Sequence, residues 1–208
     1  IFYMAIGAGF VGFIFANTIK VENMSKRRNK EPLAFDRFFL FKGLNAGFSL
    51  LLMGMPYGMA VTYVAIYGKE IGLTSSVGLF FSLMSLGLVT SRLIGGKYVD
   101  KGKVVTVIGW GTFLCLIGFI LLSTLMLFDN LLIINILFYI ISIIIGFGYG
   151  MIFPAYNALF VQLAPHNRRA TASSTYMTSW DVGIGLGLVL GGVIADKAGS
   201  LGFSFIVG

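Results

Sequence analysis

The chain has 208 residues, 57% of them hydrophobic and only 11% charged, with a formal net charge of +7 and a mean hydropathy of +0.92. A soluble domain of this length is far more polar, and a secreted disulfide scaffold needs more than the single Cys115. The composition specifies a membrane protein, to be read in stretches of about 20 apolar residues, each able to cross a hydrocarbon core about 30 Å thick.

The first stretch, Ile1 to Ile19, begins without methionine and reads as the interior of a helix, so a fragment of a longer chain is expected. Its basic residues follow the apolar region, the reverse of a secretory signal, and no cleavage is expected. Residues 20–42 read as a basic linker between two bundles, in which Phe35, Phe38, Phe39 and Phe41 around Asp36 and Arg37 suit the membrane interface. Five complete spans follow, from Gly43 to Tyr67, Ser76 to Gly95, Val104 to Phe128, Leu131 to Leu163 and Ala170 to Ala195. The pentapeptide Gly54-Met55-Pro56-Tyr57-Gly58 is expected to loosen or kink the first of them, as breaks in transporter helices do at sites and gates. The fourth exceeds what a bilayer needs, so it should tilt or continue past the headgroups beyond Pro154. A last apolar segment starts near Leu201.

Basic residues near span ends stay on the cytoplasmic side. Seven fall in Lys20 to Lys42 and three in Lys97 to Lys103, and Arg168 and Arg169 close a third loop, whereas only Lys69 and Lys197 fall opposite. Arg92, near the cytoplasmic end of its span, fits the same bias. The run Lys26-Arg27-Arg28-Asn29-Lys30 then marks topology and attraction to anionic lipid headgroups, and nucleic acid is not an expected partner. Cys115 reads as a small apolar packing residue. With His166 also solitary, neither a His-based triad nor a His/Cys metal cluster can be assembled, so no enzyme, metal or organic cofactor is expected.

Gly183, Gly187 and Gly191 recur at every fourth residue, and Gly146 and Gly150 repeat the spacing, which lets neighbouring helices approach closely. Asp181 is the acid placed well inside a span, where an ionised carboxylate costs about 3 kcal/mol. It must face the bundle interior or a wet cavity, either as a structural hydrogen-bonding group or as a group that binds a proton or a cationic substrate. Apolar surroundings favour the neutral form of a carboxyl group, as proton carriage requires. Helical spacing supplies further cavity candidates in three stripes: Met59, Tyr63 and Tyr67; Tyr149, Phe153 and Asn157; and Ser174, Met177 and Asp181, with Asn45 and Trp180 beside them. The same residues are equally at home as packing and interfacial anchors.

Between the second and third complete spans, Arg92-x-x-x-Gly96-x-x-x-Asp100-Lys101-Gly102-Lys103 resembles the signature loop of the major facilitator superfamily, G-x-x-x-D-[RK]-x-G-[RK], with one residue of the spacing missing. A solvated positive-inside turn is the plain alternative for these residues. Pro154, Arg168, Arg169, Ala170, Ser173, Asp181, Gly183, Gly187, Gly191 and Gly192 are similar to helices 10 and 11 of that family's drug and metabolite efflux branch. The resemblance implies an all-α, six-helix carboxyl-terminal half of a twelve-helix bundle built from inverted three-helix repeats. On that plan residues 1–19 end helix 6, residues 20–42 are the central cytoplasmic loop, and residues 43–208 run from helix 7 to the start of helix 12. It further implies a separate amino-terminal half, a multi-pass place in the cell membrane, and alternating-access transport of a small molecule. Proton-coupled efflux is the expected mode; proton-coupled uptake of a sugar or other metabolite and a non-transporting scaffold or receptor are the alternatives. Arg92, Gly96, Asp100, Lys101, Gly102 and Lys103 would then be a cytoplasmic latch, and the proton the coupling ion.

Overall fold

A computed structural model describes residues 40–73 and 77–198, which form long helices joined by short turns. The elements are α1 (Leu44–Glu70), α2 (Val77–Asp100), α3 (Val104–Thr124), α4 (Leu131–Leu163) and α5 (Arg169–Ala198). Single 3-10 turns precede α1 at Phe41–Gly43, follow α3 at Leu125–Leu127 and precede α5 at His166–Arg168. The expected span at Ile1 to Ile19, the basic linker up to residue 39 and the apolar segment near Leu201 lie outside the described residues.

Each of the five helices, taken with its adjoining turn where there is one, is long and apolar enough to cross a membrane. Helix is the form that satisfies every backbone polar group within one segment, as a hydrocarbon solvent demands. Large apolar side chains such as Leu93, Trp110, Leu116, Leu132 and Val189 are exposed, a surface suited to lipid rather than water. The expected boundaries hold closely for α3, α4 and α5. In α2 they do not, because the helix runs on through the Gly96-to-Asp100 stretch and the turn is confined to the residues after it. α1 is continuous through Pro56 of the Gly54-to-Gly58 pentapeptide, and α4 is continuous through Pro154.

Two helix ends close in the same way. At the end of α2, Gly102 adopts φ +77° while its N–H donates to the Val99 carbonyl at 2.9 Å and that of Lys103 to the Tyr98 carbonyl at 3.1 Å. At the end of α1, Gly72 adopts φ +86°, its N–H donates to Lys69 and that of Leu73 to Gly68. This is the paired-bond cap in which a left-handed glycine satisfies the last carbonyls of a helix. At the start of α4 the Asn130 side chain accepts the Leu132 N–H at 3.0 Å.

The helices assemble by close backbone approach. α1 packs most extensively on α5, and α2 and α3 both pack on α4. A Cβ placed on Gly183 or Gly187 of α5 would collide with the carbonyl oxygens of Leu51 and Met55 in α1, and one on Gly58 of α1 would lie 2.5 Å from the Ile184 carbonyl oxygen. In the second pairing, a Cβ on Gly146 would meet the Met84 carbonyl and one on Gly150 the Ser91 hydroxyl, while one on Gly87 would lie 2.5 Å from the Ile143 carbonyl. Pro56 thus lies in sequence between the two glycines of a G-x-x-x-G face that holds α1 against α5, the small-residue arrangement of membrane helix pairs. The pairings α1 with α5 and α4 with α2 exchange with each other when α1 is matched to α4 and α2 to α5, the relation that inverted three-helix repeats require.

Candidate functional site

Where the α1–α5 pair meets α4, the contact is made by rings. Tyr57 of α1 lies edge-on to Tyr149 of α4 with centroids 4.8 Å apart, and 5.0 Å from Trp180 of α5. Phe153 of α4 stands edge-on to Trp180 at 4.7 Å and to Tyr57 at 6.0 Å. Phe119 of α3 reaches Tyr149 from the other side at 6.4 Å. Such offset and edge-to-face pairs add about 0.5–1.5 kcal/mol each beyond burial and fix the rings without locking the backbones together. Tyr149 is fully buried and donates its hydroxyl to the Met53 carbonyl of α1 at 3.0 Å. Tyr57, Phe153 and Trp180 are half-buried, so the cluster has one accessible side.

Three predicted cavity residues, Tyr149, Phe153 and Trp180, are therefore brought together. Tyr57 completes the cluster; an aromatic inside the Gly54-to-Gly58 pentapeptide is the signal that points to it. Asn157 is exposed two turns along α4 from Tyr149, beyond Phe153 on the same stripe. The stripe on α1 goes elsewhere. Met59 and Tyr67 are wholly buried, and the Tyr67 hydroxyl donates to the Leu122 carbonyl of α3 at 2.7 Å. Tyr63 lies against Gly191 and Gly192 and donates to the Leu188 carbonyl at 2.8 Å. Asn45 is exposed at the start of α1. An apolar groove of about 190 Å³ between α1 and α5 is lined by Leu44, Gly47, Phe48, Leu51, Thr178, Ser179 and Val182, away from the ring cluster.

Ser174, Met177 and Asp181 share one exposed face of α5. At 100° per residue this face lies about 140° around the helix from the glycines that contact α1. Asp181 follows Arg169 by twelve residues, placing it about 18 Å along the helix, near its middle.

The residues of the predicted latch separate into two groups. Asp100, Lys101, Gly102 and Lys103 are exposed at the end of α2, where the Lys101 ammonium lies 5.9 Å from the Tyr98 ring centroid. Gly96 is on the helix, with open space where a Cβ would stand. Arg92 is also on the helix, eight residues and about 12 Å before its end. Its side chain is exposed. Among the described residues, no group of three His, Cys, Asp or Glu side chains is arranged to hold a metal ion.

Membrane-length helices paired through glycine, with clustered rings and a carboxylate at mid-span, define a multi-pass membrane protein of the transporter type. The sequence profile of the Major Facilitator Superfamily matches residues 1–206, and the chain belongs to that family of membrane transporters. It is 22% identical over 206 residues to the staphylopine export protein of Staphylococcus aureus, covering 96% of this chain and 50% of that protein. It is 27% identical over 220 residues to an uncharacterized MFS-type transporter of Methanocaldococcus jannaschii, covering 96% of this chain and 55% of the other. The chain thus spans about half the length of the curated relatives it matches. No solved structure matches it.

Proposed function

We propose that the chain is the carboxyl-terminal half of an alternating-access transporter of the cell membrane that exports a small molecule in exchange for protons. The observation that carries this reading is Asp181, a carboxylate near the middle of a membrane-spanning helix, on the face turned away from the glycine contacts. At about 3 kcal/mol for a charge at the centre of a span, that face is unsuited to lipid and suited to a wet cavity or to a second helical half. A carboxyl group so placed takes up a proton from one side and releases it to the other as access alternates. Efflux is favoured over uptake by the resemblance of the Asp181-to-Gly192 stretch to the efflux branch, and by the exporting relative in S. aureus. The exposed turn at Asp100 to Lys103 serves in this scheme as the cytoplasmic latch.

The test is proton-gradient-driven flux of a metabolite and drug panel in proteoliposomes of the full-length protein. Asp181→Asn should abolish gradient-driven flux while leaving gradient-independent exchange; full gradient-driven activity in the variant removes the proton role. Accumulation in the opposite direction would establish uptake. Absence of any substrate-dependent flux would leave a scaffold or receptor.

A further inference from the structure

The tyrosines along α1 and α4 differ in what their hydroxyls meet. Those of Tyr63, Tyr67 and Tyr149 donate to the carbonyls of Leu188, Leu122 and Met53, and that of Tyr156 bonds Ser49. Tyr57 lies among them, yet its hydroxyl has no hydrogen bond among the described residues, and neither has the indole N–H of Trp180. Such groups find a partner when they are buried. Among the described residues, Asn135 Oδ1 is the buried side-chain polar atom left unpaired. The Tyr57 and Trp180 donors are therefore not buried, and they open onto the accessible side of the ring cluster.

That side has two levels. The helix ends at Leu44, Leu163 and Arg169 meet on one side of the bundle, where the Leu40 N–H bonds the Thr175 hydroxyl. Counted from those ends, Tyr57, Phe153 and Trp180 all stand about 15–20 Å inside. One turn nearer the ends, Asn157 of α4 is exposed and Tyr176 of α5 is half-buried, and neither side chain is hydrogen-bonded among the described residues. An exposed amide is suited to a wet space, not to hydrocarbon. Among the described residues, the cation over a ring is Lys101 at Tyr98, so no ammonium or guanidinium lies over the rings of the cluster.

We propose that the open side of the Tyr57–Phe153–Trp180 cluster is a subsite for an uncharged aryl group that carries a hydrogen-bond acceptor such as a carbonyl oxygen. The ring edges and faces take the aryl plane, and the Tyr57 hydroxyl and Trp180 N–H donate to the oxygen. The inference rests on the reading of the chain as a transporter and names the substrate class of its cavity. An anion at this place would lack a cation against the rings, and an ammonium would bring N–H donors to donors. Asn157 and Tyr176, one turn on, offer hydrogen bonds to the rest of the substrate.

Photolabelling of the purified full-length protein provides the test. The probe is 4-(hydroxymethyl)benzophenone, whose excited carbonyl inserts into an adjacent C–H bond, and 4-benzoylbenzoate and 4-(aminomethyl)benzophenone are its charged analogues of similar shape. The neutral probe should label the peptides that carry Tyr57, Phe153 or Trp180 saturably, and the charged analogues should bind about tenfold or more weakly, because each brings an unpaired charge against the rings. Trp180→Leu should weaken the neutral probe by about threefold to tenfold, as loss of an aromatic pair does. Tyr57→Phe keeps the ring and loses the donor, and should weaken it by about fivefold, which keeps the test decisive where Trp180→Leu folds poorly. Absence of saturable labelling at these peptides, equal affinity for either charged analogue, or an unchanged affinity in both variants overturns the proposal. If the neutral probe labels the cluster but the wild type drives no flux, the transport reading fails and this one stands. If gradient-driven flux is normal and the ring peptides stay unlabelled, the reverse holds.

Discussion

Two kinds of contact hold this bundle, and they occupy different places. Within the pairs α1–α5 and α2–α4, backbones touch through Gly54, Gly58, Gly183 and Gly187 on one side and through Gly87, Gly146 and Gly150 on the other. Between the pairs, the contact is made by the rings of Tyr57, Tyr149, Phe153 and Trp180, together with the hydroxyl bonds of Tyr149 to the Met53 carbonyl and of Tyr156 to Ser49. A backbone seated in a glycine groove has one register, because a shift of a single residue brings a side chain where only a hydrogen fits. Rings meeting edge to face tolerate tilting and sliding over a broad shallow minimum. The division gives stiff helix pairs and an adaptable seam, and the candidate site lies in the seam.

The largest expected effects break the stiff contacts. Gly146→Ala and Gly187→Ala each add a methyl where the Met84 and Met55 carbonyls already stand, and overpacking of this kind costs about 1–3 kcal/mol. Gly78→Ala and Gly109→Ala enter open space and gain the better helix propensity of alanine. Denaturation of the four variants in detergent should separate them into two destabilised and two unaffected or slightly stabilised proteins. Equal loss in all four would show that helix propensity, not the paired backbones, sets the stability.

Much of this division was legible in the chain. The fourth-residue spacing of Gly183, Gly187 and Gly191, and of Gly146 and Gly150, announced close helix contacts, and apolar length alone placed the five spans with boundaries near those observed. What the sequence did not reveal depends on partners far away in the chain. Gly54 and Gly58 also hold α1 against α5, and nothing local beside Pro56 reveals that contact. Met59 and Tyr67 shared a stripe with Tyr63 and read as cavity lining, yet burial of the first two depends on neighbours that periodicity cannot name. Arg92 lies inside its helix as expected, but the helix extends past the expected Gly95 boundary to Asp100 and so leaves it further from the end. Asp181 stands near the middle of α5 as its place in the sequence indicates, because a charge at mid-span is conspicuous whatever surrounds it.

A smaller effect separates glycines needed for their own conformation from those needed by a neighbour. Gly102 has φ +77° but open space where a Cβ would stand, so Gly102→Ala meets no atom and costs only the left-handed backbone penalty, about 1–2 kcal/mol. Because this cap lies at an exposed turn, the loss should appear as fraying of the end of α2, with faster amide exchange at Gly102 and Lys103 and little change in global melting. A global loss as large as that of Gly146→Ala would place the turn among the stiff contacts.

The smallest stability effect is expected in the seam itself. Tyr149→Phe keeps the ring and removes one hydroxyl bond to the Met53 carbonyl, and a single polar contact between membrane helices contributes on average about 0.6 kcal/mol. That carbonyl remains available to the helix bond from the Tyr57 N–H, four residues on, so the loss does not strand a buried acceptor. If the seam is where the two helix pairs adjust to each other, removing a directional bond across it changes the transport rate by more than the melting temperature suggests. The comparison is therefore between two ratios, rate change per unit of stability lost in Tyr149→Phe and in Gly187→Ala. A higher ratio for the tyrosine variant supports the adaptable seam. Similar ratios would mean that Tyr149 is as much a part of the stiff framework as the glycines, and that the rings pack rather than yield.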